Sequence, residues 1–353
     1  MARENPKAHC SNCLSVPLRE SNQHGKRTTD LPASKSAPPC TNTASKHSLR
    51  PPYVFEPGKA TVTRPNFSRD LPPEYSPVII RAPMIGKALA EKMRAGVRVY
   101  GTCTVSPTPR WVNAITPARP DFVFIDTEHN TLDRTQVGWM CQTYAALGIV
   151  PIVRLMSPDP YLAASTVDDG ALGIVAPYIE TVAQVDGLRG TVKNRPLKGQ
   201  RLRERLEGKH ASPEIDAYIN ERNANNVLII NIESQAAIDA LDDLLASPEV
   251  DGVLIGPHDL SCNLGIPEQY DAPEFLAAVQ TIFDKAREHD RGAGIHFWGS
   301  TEQQVRLLEM GCNFLIHSAD VLLVRDHLKT GLNAVRERMG DQPQVEGGPG
   351  LVI

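Results

Sequence analysis

Short, uninterrupted apolar runs alternate along this chain with longer segments whose apolar residues recur at helical spacing. Residues 97–102, 122–126, 149–154, 173–177, 227–232, 252–257, 294–297 and 314–317 have the length and β-branched content of strands buried on both faces. A helix over 85–94 leads in. Between the fifth and sixth runs, residues 234–247 carry Ala237, Ile238, Leu241, Leu244 and Leu245 at helical spacing. Segments 274–288 and 302–310 are amphipathic in the same way. Eight strands separated by helices predict a closed (β/α)8 TIM barrel. An open, doubly wound sheet is the alternative, disfavoured because no glycine-rich turn follows the first run.

The pattern also sets boundaries. Residues 1–76 are rich in Ser, Thr, Asn, Pro, Lys and Arg without apolar periodicity, and are expected to form a disordered extension. The barrel is expected over 77–340, and 341–353 as a flexible, Gly/Pro-rich tail. The basic, acid-poor extension leaves organelle targeting open, and its His9, Cys10 and Cys13 make only half a zinc site. The interval 181–226 is long for one crossover, and 196–202 reads as an irregular basic loop that could lie over the rim.

Composition narrows the class. A formal charge of -4 with no basic stripe in the periodic part argues against a nucleic-acid partner. No run approaches the roughly 18 to 20 apolar residues of a membrane helix. No apolar signal core follows Met1, so the sequon at Asn66 carries little weight. The seven cysteines are an odd number, and those beyond Cys40 sit singly in apolar segments. That suits reduced thiols in a cytoplasmic protein.

In a barrel the chemistry lies at the carboxyl ends of the strands. Asp126-Thr127-Glu128-His129 ends the second run and Arg154 the third, while Glu233 and Asp259 follow the fifth and sixth. Neighbouring parallel strands would put both last carboxylates on one rim, where a divalent cation could use them. Each residue also has a plainer reading. Asp126, Glu233 and Asp259 could cap helices or turns, His129 could be structural, and Arg154 could form a rim salt bridge.

Asp126-Thr127-Glu128-His129, Val153-Arg154, Asn231-Ile232-Glu233-Ser234 and Gly256-Pro257-His258-Asp259-Leu260-Ser261 together resemble the HpcH/HpaI aldolase family, the class II pyruvate aldolases, over about 96–338. The resemblance implies a metal-binding barrel, often a hexamer, acting on a small 2-oxo acid. It implies Glu233 and Asp259 as metal ligands, Arg154 on the substrate carboxylate and keto oxygen, and His129 as acid/base oriented by Asp126. Asp168 matches a position that reaches an adjacent subunit's site, and Gly256 offers backbone near the pyruvate. Oxygen ligands suit Mg²⁺ or Mn²⁺, with Co²⁺ usable.

The expected reaction is cleavage of a 4-hydroxy-2-oxo acid to pyruvate and an aldehyde. As the C3–C4 bond breaks, charge collects on the former keto oxygen, and a cation with Arg154 would stabilise it. A Schiff-base route would need a strand-end lysine, and Lys87, Lys92, Lys193, Lys198, Lys209, Lys285 and Lys329 fall in helices or loops. Oxaloacetate decarboxylation, or a reaction like that of macrophomate synthase, could start from the same enolate. A citrate-lyase-like enzyme would need a nucleotide groove, and a catalytically silent barrel would have no use for all five polar residues. Two departures from the family pattern stand out. Leu202 replaces a glycine after Arg201 and should narrow or redirect the aldehyde pocket. His296 and Trp298 stand where smaller aliphatic residues are usual, either lining the pocket or packing.

Overall fold

The computed structural model describes residues 85–343. The extension expected over 1–76, its cysteine pair, and residues 344–353 of the expected tail lie outside them. The chain enters through α1 (Gly86–Arg94), then β1 (Val99–Thr104), α2 (Arg110–Ile115), a 3-10 turn (Thr116–Ala118) and β2 (Phe122–Asp126). Next come α3 (Arg134–Ala146), β3 (Val150–Arg154), α4 (Pro160–Asp168) and β4 (Gly173–Ala176). Three helices follow: α5 (Val182–Val192), α6 (Gly199–Leu206) and α7 (Pro213–Arg222). After β5 (Val227–Ile232) stand α8 (Gln235–Asp239), α9 (Leu241–Leu245), β6 (Gly252–Ile255) and α10 (Pro257–Asn263). The last elements are α11 (Pro273–Glu288), β7 (Gly292–Phe297), α12 (Thr301–Glu309), β8 (Phe314–Ala319) and α13 (Asp320–Met339).

Every strand pairs in parallel with the next, and β8 pairs with β1, so the eight strands close the expected barrel. Alternate residues of each strand face opposite sides. One set, including Phe122, Phe124, Ile152, Ile229, Leu254 and Ile316, packs into a single core. The other, including Val123, Ile125, Val153, Leu228, Val253 and Ile295, packs with the helices. Leu89 and Met93 of α1 belong to the first core, and Met93 abuts Gly252 and Gly292 at the amino ends of β6 and β7. α1 therefore plugs one mouth of the barrel and leaves chemistry to the other.

The first strand starts two residues later than the apolar pattern suggests. Val97 still bonds back to the Lys92 carbonyl, and pairing with the last strand's side begins only at Val99, whose N–H reaches the Asn313 oxygen. The helix expected over 234–247 is bent into α8 and α9 at Ala240, where ψ is 1°, yet Ala237, Leu241, Leu244 and Leu245 stay buried. Much of the basic loop expected over 196–202 is helix, since α6 begins at Gly199. Apolar periodicity could not show this because α6 buries none of its residues. Polar contacts hold it instead: Arg205 donates to Asn194 Oδ1 (2.6 Å) and Asn220 Oδ1 (2.8 Å) and pairs with Asp216.

Phe122 and Phe314 stack with centroids 4.5 Å apart, and Gly101 between their strands leaves the room. A Cβ there would lie 2.3 Å from the Phe122 ring. Gly101→Val should therefore destabilise the barrel by about 1–3 kcal/mol through overpacking. The urea midpoint checks this, and an unchanged midpoint would contradict the stacked arrangement.

Candidate active site

Asp126 and Arg154 are the last residues of β2 and β3, and they sit in register with one another. Arg154 donates from Nε to Asp126 Oδ1 at 2.7 Å and from Nη2 to Oδ2 at 2.8 Å, a bidentate pair with both side chains buried. Asp126 also accepts from the Glu128 amide and from Asn130 Nδ2. Burial pushes the Asp126 carboxyl up, but the hydrogen bonds and charge of Arg154 outweigh it and hold the group below the usual carboxylate range. Burial likewise opposes the guanidinium charge, and Asp126 and Glu128 more than reverse that, keeping Arg154 ionised.

Glu128 completes this corner. Its Oε2 lies 3.1 Å from Arg154 Nη1, without hydrogen-bond geometry, and 3.8 Å from His129 Nε2. Burial pushes its carboxyl up to about 7; Arg154 opposes the rise, while Glu233, Asp126 and Asp259 add to it. The carboxylate beside His129 is thus Glu128, whereas Asp126, expected to orient His129, is committed to Arg154. The reason is register: the side chain opposite Asp126 on the neighbouring strand is the arginine, and a bidentate carboxylate has little capacity left.

Glu233 follows β5 and is 3% exposed. Oε2 accepts from the Tyr178 N–H at 3.1 Å and Oε1 from Asn231 Nδ2 at 2.7 Å. Tyr178 holds that N–H in a left-handed conformation, φ +50°, uncommon for a residue with a side chain. Burial raises the Glu233 carboxyl, and the charge of Asp259 adds to the rise against those two hydrogen bonds. Gly256 is what lets β6 pass so close, because a Cβ there would lie 2.4 Å from Glu233 Oε1.

The charges of Glu233 and Asp259 thus raise the cost of ionising Glu128, and that of Asp259 raises the cost of ionising Glu233. Among the described residues, no group of three or more His, Cys, Asp or Glu is arranged to hold a metal by itself. Glu233 and Asp259 still fit a hard divalent cation. Each Glu233 oxygen accepts a single bond and keeps a lone pair, and a cation would relieve the repulsion.

A cavity of about 320 Å³ opens beside these groups, lined by His129, Arg154, Asn231, Gly256 and Asp259 together with Phe124, Leu254, His258, His296 and Trp298. The structure thus gathers His129, Arg154, Gly256 and Asp259 around one space. Asp126 and Glu233 stand directly behind the lining, bonded to Arg154 and Asn231. Asp168 is elsewhere: it ends α4, pairs with Arg195, and a helix returning from the carboxyl rim ends at the opposite face. Leu202 packs toward Gly190 of α5, in the outer layer, so it does not narrow this cavity. His296 and Trp298 do line it. The sequence reading missed Glu128, Asn231 and the Tyr178 amide as working parts. Glu128 was visible in the Asp-Thr-Glu-His run, but a backbone donor leaves no mark in a sequence.

Two substitutions test the geometry. Asp126→Asn leaves a buried guanidinium short of its charge partner and should cost about 3–5 kcal/mol, measured by urea unfolding at pH 7. Because pairing depresses the Asp126 pKa below its unfolded value, the gap between wild type and variant should close as pH falls through that depressed value. Gly256→Ala should displace Glu233 and abolish activity while the barrel stays folded; full activity would show that the close approach is not needed.

The model of the HpcH/HpaI aldolase/citrate lyase family matches residues 104–326, a span from the end of β1 into α13 that includes every residue of the site. A 2-keto-3-deoxy-L-rhamnonate aldolase of Salmonella gallinarum is 25% identical over 249 residues, covering 70% of this chain and 93% of its own. In fold, the chain is similar to an HpcH/HpaI aldolase from Desulfitobacterium hafniense DCB-2, with a TM-score of 0.62 at 23% identity over 70% of this chain and 96% of that one. Macrophomate synthase is similar at a TM-score of 0.56 and 24% identity, over 72% and 90% of the two chains. With the barrel, the strand-end acids and the matched span in agreement, this chain belongs to the HpcH/HpaI aldolase/citrate lyase family, a family of lyases.

Proposed function

We propose that the protein cleaves 4-hydroxy-2-oxo acids to pyruvate and an aldehyde, reversibly, using a divalent cation held by Glu233 and Asp259. The observation that carries this reading is a buried arginine, clamped by two acids, facing the same cavity as Asp259. Mg²⁺ or Mn²⁺, or Co²⁺ in their place, would supply Lewis-acid pull on the keto oxygen. Arg154 commits Nε and one Nη2 hydrogen to Asp126, and its remaining donors can take a carboxylate or keto oxygen of the substrate. Its charge favours the electron-rich state reached as the C3–C4 bond parts, more than it favours the intact substrate. His129 lines the cavity and takes the C4 hydroxyl proton as the aldehyde leaves, with Glu128 beside it. Asp126 acts through Arg154 by fixing its plane.

Oxaloacetate decarboxylation, or a macrophomate synthase-like reaction, is the alternative from the same enolate. His129 separates the two, since loss of CO₂ removes no hydroxyl proton. Chelation should abolish activity and Mg²⁺ or Mn²⁺ restore it; indifference to the chelator would sink the metal reading. Glu233→Ala should lose bound metal and turnover together. His129→Ala should keep the metal, lose aldol cleavage by about 10²–10⁴-fold and spare pyruvate release from oxaloacetate. Normal aldol cleavage in that variant would remove His129 from its role.

The partner assigned is a small 2-oxo acid, with neither nucleic acid nor membrane. Among the described residues no helix is long and apolar enough to cross a bilayer. Free Cys103, Cys141, Cys262 and Cys312 support a reducing, cytoplasmic setting.

A homo-oligomer is also supported. Tyr100 and His317, on β1 and β8, are exposed where a parallel barrel normally carries a helix, and they line an apolar groove of about 840 Å³. The chain's own last helix, α13, exposes Leu328, Leu332, Val335 and Met339 at helical spacing. A second copy's α13 would cover such a groove. Asp168 would then have to serve a site other than its own chain's, as the family resemblance implies. Light scattering should show a multimer, and Leu332→Glu with Val335→Glu should reduce its mass; a monomeric wild type would end this reading.

A further inference from the structure

Two cavity-lining side chains of β7 and its following turn have no part in the chemistry above. His296 is buried, with Nε2 3.0 Å from the Ser318 carbonyl oxygen. A carbonyl only accepts, so Nε2 carries the proton. Burial and the charge of Arg154 push the ring down to about 4, which keeps the imidazole neutral near pH 7. A neutral ring protonated at Nε2 must present Nδ1 as an acceptor. Among the described residues Nδ1 has no hydrogen-bond partner, and it is not one of the polar atoms sealed from the surface. Ile295 and Phe297 pack with the helices, so His296 faces the barrel interior and its open side is the cavity that it lines.

Register locates this acceptor. Ile255 pairs with Ile295, so His296 stands beside Gly256, next to the β6 rim that carries Asp259. Trp298, two residues on, presents its ring 5.5 Å from the His296 ring at 77° and lines the same wall. Arg154 can only donate, while Glu233 and Asp259 are taken by the cation in the reading above. His296 Nδ1 is then an uncommitted acceptor in a cavity whose 320 Å³ suits a small acid.

We propose that His296 is a specificity-determining residue: its Nδ1 accepts a hydrogen bond from a hydroxyl on the aldehyde-derived part of the substrate, and Trp298 packs against the adjoining carbons. The protein thereby selects polyhydroxylated 2-oxo acids over their deoxy analogues. This rests on the lyase reading above. The selection arises because a deoxy substrate leaves the nitrogen desolvated and unpaired, a penalty that a hydroxyl removes.

The test is aldol addition of pyruvate to lactaldehyde and to propanal by the full chain with Mg²⁺ or Mn²⁺, read as the ratio of kcat/KM for the two aldehydes. Wild type should favour lactaldehyde by at least about tenfold. His296→Leu should lower that ratio at least about tenfold, and His296→Gln, which retains an acceptor, should recover part of it. Equal wild-type rates for the two aldehydes, or a ratio unchanged in His296→Leu, would overturn the proposal. Should His296→Leu misfold, as circular dichroism would reveal, the wild-type ratio and His296→Gln decide. Exchange of the pyruvate C3 protons with deuterium, followed by NMR, separates the two readings. Exchange without aldehyde preference defeats the specificity assignment alone, and absence of exchange defeats the lyase reading with it.

Discussion

A guanidinium buried at the mouth of the barrel must be matched by negative charge, and the site is arranged around that requirement. Removing Arg154 from water carries a desolvation cost of several kcal/mol, which only close, well-aligned acids offset. Asp126 meets it with two parallel hydrogen bonds, and Glu128 adds a third contact to Nη1. Glu128 cannot then be placed independently, and His129, the next residue, is carried with it to the cavity edge. The arginine thus fixes the positions of three residues that the chain supplies on a single turn.

The other half of the site obeys the opposite constraint. Glu233 is held by dipoles, a strained backbone N–H and an amide side chain, while Arg154 acts on it through charge without a hydrogen bond. Asp259 adds like charge from the next strand. On the proposed reading, such an arrangement is an electron-rich pocket for the divalent cation, at some expense in the stability of the fold without it. Arg154 and Asp259 line the same cavity, so in the proposed reaction a substrate carrying both a carboxylate and a keto oxygen would meet complementary fields.

Glycine shapes both the barrel core and the site. At Gly101 the missing side chain allows two phenylalanines to stack inside the barrel, and at Gly256 it allows β6 to pass against a carboxylate. The first use concerns packing; the second brings the Asp259-bearing helix close to Glu233. Neither glycine lies in a left-handed conformation, so in each case the requirement is space and not backbone freedom.

Apolar periodicity along the chain was enough to place all eight strands and the closed barrel, because strands buried on both faces must be apolar throughout. Strand ends were legible for the same reason: where the apolar runs stop, Asp126, Arg154, Glu233 and, a few residues on, Asp259 appear. Helix α6 was not legible, since its stability comes from Arg205 reaching Asn194, Asp216 and Asn220, and such contacts have no period. Nor could a sequence show which acid Arg154 would choose. Asp126 and Glu128 are two residues apart on one strand end, and only the β2–β3 register decides that Asp126 takes the bidentate pair and Glu128 lies by His129. The tautomer of His296 was likewise set by a carbonyl 22 residues away, at a distance that folding alone could close.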